Sequence, residues 1–128
     1  MYKNSLCIIG SAGSGKSLFL KELYEETLSI LSEKVFVYEK YPIVNLKENA
    51  TSFNKNEMEK YLKNIQTINI PTIIILDSAF DFDNKLILSA FENSKVFIVL
   101  TYQFENESNA DVIKKCSKVE RLDERLVS

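Results

Sequence analysis

Gly10-Ser11-Ala12-Gly13-Ser14-Gly15-Lys16-Ser17 fills every fixed position of the pattern G-x-x-x-x-G-K-[ST]. The apolar run Ser5-Leu6-Cys7-Ile8-Ile9 before it reads as a buried strand, and the sequence from Leu18 onward reads as a helix. A strand, a glycine-rich turn and a helix start in this order aim backbone N–H groups and a helix N-terminus at one anion. Gly10, Ser11, Ala12, Gly13, Ser14, Gly15, Lys16 and Ser17 are therefore expected to cradle the phosphates of a nucleotide. Lys16 is expected to supply charge to the outer phosphates, and the Ser17 hydroxyl to ligate Mg²⁺. The chain has only three glycines, and all of them fall inside this motif, which sets it apart from a generic flexible turn.

Working outward, 128 residues suffice for one core, so a single nucleotide-binding domain is expected over 1–128. A hydrophobic share of 45% with 27% charged residues argues against disorder. The formal net charge of -2 gives no global support for nucleic-acid binding. No apolar run approaches the ~20 residues that cross a bilayer, and no signal-peptide pattern is present. Cys7 and Cys116 have no ligand-like spacing and there is no histidine to join them. They read as core or near-core thiols, in keeping with a reduced, cytoplasmic location.

Leu20, Leu23, Tyr24, Thr27, Leu28 and Leu31 recur at helical spacing, with Glu22, Glu25 and Glu26 facing away. Lys34 to Tyr38 reads as a second strand, and Pro42 ends any ladder near Tyr41. Residues 43–52 read as a loop or surface crossing. Asn54 and Glu57 have the spacing of a capping box for a helix carrying Met58, Tyr61, Leu62 and Ile65. Thr72 to Asp77 and Lys95 to Thr101 are continuous apolar runs, the mark of central parallel strands covered on both faces. Asp83 is placed to cap the helix between them, and a short helix is expected around Asp111 to Lys115. Val119 to Leu126 fits either a charged helix or an edge strand starting at Val119. Alternating strands and helices predict an α/β, three-layer sandwich with a mainly parallel sheet. Its ligand would sit beyond the C-terminal strand ends.

Those ends carry the candidate chemistry. Asp77 closes the third strand, where a carboxylate is expected to hold Mg²⁺ opposite Ser17. Hydrolysis also needs a group to position or activate water. Gln103, at the end of the fourth strand, is the first candidate and Glu39, at the end of the second, the other; Asp81 and Asp83 read as turn and cap residues. The only arginines are Arg121 and Arg125, so an arginine finger from this chain must be one of them. No asparagine-lysine-x-aspartate guanine signature occurs, which favours ATP over GTP. There is also no arginine-rich lid of the kind a nucleotide kinase needs.

With these four strand-end motifs the chain resembles a minimal FtsK/HerA-type ATPase core, a group of P-loop NTPases that includes DNA translocases, conjugation ATPases and viral genome-packaging ATPases. The similarity runs through Ile8 to Ser17, Val35 to Lys40, Ile73 to Asp77 and Val96 to Gln103, the last resembling the family's strand with a sensor glutamine. The resemblance implies a P-loop NTPase fold, ATP and Mg²⁺ as ligands, a homo-oligomer or an assembly completed by a partner protein, and DNA packaging, transfer or translocation as the work done. Lys16, Gln103 and Glu39 would then be catalytic, with Ser17 and Asp77 on the metal. Ser78 stands where members carry Glu, and Phe104-Glu105-Asn106-Glu107 is acidic where members carry basic residues. Ser78 favours one alternative, a low-turnover ATP-gated assembly module; a small-molecule kinase is the other, and it would need a cationic lid.

Overall fold

The computed structural model describes residues 5–11, 13–26, 34–40 and 50–122. Among these residues there are six strands, β1 (Ser5–Ile9), β2 (Lys34–Glu39), β3 (Ala50–Ser52), β4 (Thr72–Asp77), β5 (Val96–Tyr102) and β6 (Lys118–Arg121). They pair in parallel throughout, in the order β3-β2-β4-β5-β1-β6. Four α-helices among the described residues join them: α1 (Lys16–Glu26), α2 (Lys55–Lys63), α3 (Asn84–Phe91) and α4 (Ala110–Lys115).

The pleat sorts the apolar runs into two cores. Leu6 and Ile8, Ile73 and Ile75, and Val99 pack with Leu20 and Tyr24 of α1 on one face. Cys7 and Ile9, Ile74 and Leu76, and Ile98, Leu100 and Tyr102 pack on the other face with residues of α2, α3 and α4. Central strands covered on both sides need both alternating sets apolar, which is why β4 and β5 read as unbroken runs. The result is the expected three-layer α/β sandwich, with a P-loop NTPase-like strand, loop and helix at its start.

Local signals match where they are chemical. Asn54 and Glu57 form the reciprocal capping box at α2, and Asp83 accepts from the Lys85 N–H at the start of α3. Cys7 is buried, Cys116 half-buried, and both are free thiols. One expectation changes and one open choice is decided. Residues 50–52 form a strand rather than a loop, paired from Val35↔Ala50 to Val37↔Ser52. Lys118–Arg121 is the edge strand of the two alternatives, its entry pinned by the Ser117 N–H donating to Ser5 Oγ at 2.8 Å. Both edges are short and half-polar, so neither carries the apolar run that marks a buried strand. Thr27, Leu28, Leu31, Tyr41, Pro42, residues 43–49, Arg125 and Leu126 lie outside the described residues.

Asn93 fastens the connection into β5. Its buried Nδ2 donates to the carbonyls of Ile65 (2.8 Å) and Ile68 (3.0 Å), and its Oδ1 accepts from the Lys95 N–H (2.9 Å). Asn93→Ala strands these backbone groups in a dry site, so urea unfolding should show a loss of about 2–4 kcal/mol. Asn56→Ala, on the wet face of α2, should stay within about 0.5 kcal/mol of the parent in the same measurement.

Candidate functional site

Parallel pairing lines up the C-terminal ends of the strands. Glu39 is in register with Asp77, and Ile9 with Tyr102. The Gly10 N–H donates to the Tyr102 carbonyl at 3.0 Å, carrying the ladder one residue into the loop. Beyond these ends lies a cavity of about 830 Å³ lined by Gly13, Gly15, Lys16, Ser17 and Leu18 from the loop and α1. Lys40, Asp77, Ser78, Phe80, Asp81, Thr101, Tyr102 and Gln103 close it from the other strand ends.

The loop's glycines answer two different demands. Gly13 (φ +83) and Gly15 (φ +95) occupy the left-handed region, with open space where a side chain would go. At Gly10 the limit is room: an added Cβ would collide with Ser14 Oγ and stand 3.3 Å from Leu122 Cβ. Ser14 Oγ is itself buried with no hydrogen-bond partner among the described residues. The Lys16 ammonium folds back onto the Gly10 carbonyl and lies 3.3 Å from the Ser11 carbonyl. An ammonium needs oxygen acceptors, and here the loop's own carbonyls provide them. Ala12 lies outside the described residues.

Asp77 sits at the mouth of β4, its Oδ1 accepting from Thr101 Oγ1 at 2.8 Å. The same hydroxyl oxygen accepts from the Ser78 N–H at 2.8 Å. Ser78 has φ 95, a left-handed conformation that costs a residue with a Cβ of order 1–3 kcal/mol. Thr101 is buried and holds this turn from the neighbouring strand. Burial pushes the Asp77 carboxyl above its ordinary range, while the Thr101 hydrogen bond and the Lys16 charge pull it back. One hydroxyl (Ser17) and one carboxylate (Asp77) on a shared cavity are hard oxygen donors. They fit Mg²⁺, which takes one or two carboxylates together with substrate phosphates. Among the described residues no cluster of three His, Cys, Asp or Glu side chains could hold a metal ion.

Gln103 lines the cavity and is exposed. Glu39 is half-buried beside Asp77 and does not line the cavity; its neighbour Lys40 does. Asp81, expected as a turn residue, lies in a short 3-10 turn (Ala79–Asp81). Its carboxylate accepts from the Tyr38 hydroxyl at 2.6 Å and meets Lys40 Nζ at 3.4 Å. Arg121 does not sit on a charged helix: it ends β6, and its Nε lies 2.6 Å from Glu105 Oε1. Sequence reasoning placed Thr101 and Tyr102 at a strand end and Lys40 in a strand-end motif without assigning them a specific role, and it did not single out Phe80. The Phe80 ring packs on Tyr102 (4.8 Å between centroids) and on Phe104 (5.0 Å), and with exposed Leu18 makes an apolar rim at the cavity. A threonine at the end of an otherwise apolar strand was the one signal available for Thr101.

No protein-family model matches the chain. It is similar to GTPase Era of Campylobacter jejuni subsp. doylei, with 25% identity over an alignment that covers 97% of this chain and 47% of that protein. Among solved structures it is similar to the P4 protein of bacteriophage phi6 in complex with ADP, with a TM-score of 0.44 and 17% identity, covering 89% of this chain and 46% of that one. The chain thus spans about half the length of each. No helix among the described residues is long and apolar enough to cross a membrane.

A carboxyl whose pKa is higher folded than unfolded binds its proton more tightly in the folded state, so folding stability falls as pH rises through that window. Asp77→Asn keeps an acceptor for Thr101 and removes the buried charge. It should raise the melting temperature of the nucleotide-free protein at pH 7 and flatten the decline in stability above the ordinary carboxylate range, about pH 4. Thr101→Val strands the Ser78 N–H and one Asp77 oxygen, and should cost about 1–3 kcal/mol by urea unfolding.

Proposed function

We propose that the chain binds a Mg-nucleoside triphosphate, read as Mg-ATP, and hydrolyses it slowly. The observation that carries this is one cavity shared by the glycine loop, Lys16 and Ser17, and by Asp77 and Gln103. In this reading the loop amides and Lys16 hold the β- and γ-phosphates and stabilise charge as it develops. Ser17 and Asp77 would hold Mg²⁺, which neutralises phosphate charge when bound. Gln103 orients a water in line with the γ-phosphorus. The bond from that phosphorus to its bridging oxygen breaks, giving ADP and inorganic phosphate. Glu39 stays the second candidate for handling the water's proton, acting from beside Asp77.

Slow turnover follows from Ser78. The residue after the metal carboxylate has no acidic side chain, and its backbone is tied to Thr101. The low-turnover, nucleotide-gated assembly module is therefore the second reading. It is favoured by the apolar rim of Leu18, Phe80 and Phe104, since exposed apolar groups gathered at one site suit a partner protein or a second copy. Work on DNA, as in FtsK/HerA-type packaging and translocation, rests on the sequence resemblance, and a cytoplasmic location on the free thiols. The similarity to a protein named as a GTPase makes GTP the competing base. The missing guanine signature favours ATP.

Calorimetry with Mg-ATP and Mg-GTP tests the core of this reading. Binding is expected at micromolar to sub-millimolar affinity, tighter for ATP, with Lys16→Ala weakening it at least about tenfold. Phosphate release should be slow without DNA; stimulation by DNA supports the motor, and binding without release under either condition supports the module. No binding of either nucleotide would overturn both.

A further inference from the structure

We infer that Lys40 is a second phosphate-binding cation, which exchanges Asp81 for the γ-phosphate and lets the site tell a nucleoside triphosphate from a diphosphate. This rests on the function proposed above and adds to it the basis of triphosphate selectivity.

Among the described residues, two ammonium groups and two carboxylates line the cavity: Lys16 and Lys40, Asp77 and Asp81. They balance, so a γ-phosphate brings negative charge that needs a cation from within the site. Lys16 is one. Arg121, the single arginine among the described residues, is engaged by Glu105. Among the described residues that line the cavity, Lys40 is the remaining cation.

Its attachment suits an exchange. The Lys40 backbone N–H donates to the Asp77 carbonyl at 3.3 Å, so its Cα is fixed beside the proposed metal carboxylate. The side chain reaches the turn after β4. Nζ stands 3.4 Å from Asp81 Oδ1, and the lysine side chain is 46% exposed. A long ion pair at an exposed lysine contributes little and is readily replaced. Asp81 is secured without it, because the Tyr38 hydroxyl donates to Oδ2 at 2.6 Å and Tyr38 is in turn packed edge-on to Phe82. When Lys40 leaves, Asp81 keeps a hydrogen bond and the turn after β4 keeps its anchor. A phosphate oxygen carries more charge than a shared carboxylate and forms a shorter charge-assisted hydrogen bond with an ammonium. A diphosphate lacks the group that draws Lys40 across.

The test uses the whole chain and calorimetry with Mg²⁺ plus either a non-hydrolysable ATP analogue or ADP. The parent should prefer the analogue. In Lys40→Met the analogue should bind at least about tenfold more weakly while ADP stays within about twofold. Asp81→Asn releases the lysine and leaves Tyr38 an oxygen acceptor, so the preference should hold or grow. The inference is overturned if the parent binds both ligands equally, if Lys40→Met changes both or neither, or if Asp81→Asn loses the preference as Lys40→Met does. Thermal melts identify a variant that merely unfolds, and Lys40→Gln, which keeps length and polarity, then carries the same comparison. Lys16→Ala separates the two levels: it should weaken both ligands, and binding that ignores it would sink the phosphate-site reading itself.

Discussion

Parallel pairing is the constraint on which everything else here depends. When every strand runs the same way, every strand ends at the same edge, and whatever residues stand last are brought together however far apart they lie in the chain. Lys16, Lys40, Asp77 and Gln103 are spread over more than eighty residues of sequence and meet around one cavity for this reason. The apolar content of β4 and β5 secures the arrangement, because only strands buried on both faces can sit at the centre of such a sheet. Hydrophobic patterning thus fixes where the polar chemistry assembles.

At that edge the molecule holds its polar groups by borrowing. Lys16 turns to its own loop's carbonyls, Asp77 to the hydroxyl of Thr101, and Asp81 to Tyr38 and Lys40. Ser14 Oγ is buried without a protein partner among the described residues. These contacts are ones a charged ligand can replace. Ser78 adds the opposite ingredient. Its left-handed backbone is a local cost, maintained by a buried threonine on the next strand, and it sits directly after the candidate metal carboxylate. The end of β5 therefore reaches Asp77 through Thr101, and Gln103, the residue after the strand, lines the cavity.

The sequence made the central part of this legible. The phosphate-loop motif is dense enough to read without context, and the unbroken apolar runs at 72–77 and 96–101 admit no other place than the middle of a covered sheet. Asn54 with Glu57, and Asp83, could be read as caps because their chemistry is local. Ala50–Ser52 was not legible: three residues at an edge have no apolar period to show. Lys118–Arg121 was ambiguous because an edge strand with alternating charge looks like one face of a helix. Lys40 and Thr101 were visible only as strand-end residues without a role, for a different reason. Their meaning lies in contacts made across strands, to Asp81, Ser78 and Asp77, and no spacing along the chain encodes those. Glu39 drew attention as an acid at a strand end, and the pleat leaves its neighbour Lys40 on the cavity instead.

The central claim is that the backbone from Gly10 to Ser17 is shaped for a chain of phosphates. Amide NMR on the whole protein during titration with Mg²⁺ and inorganic tripolyphosphate reads that backbone directly, with no base or sugar to confuse the response. The account predicts saturable shifts at the Gly13, Gly15, Lys16 and Ser17 amides, with Asn56 and other distant amides still. Shifts confined to surface lysines, or none within the loop, would contradict it.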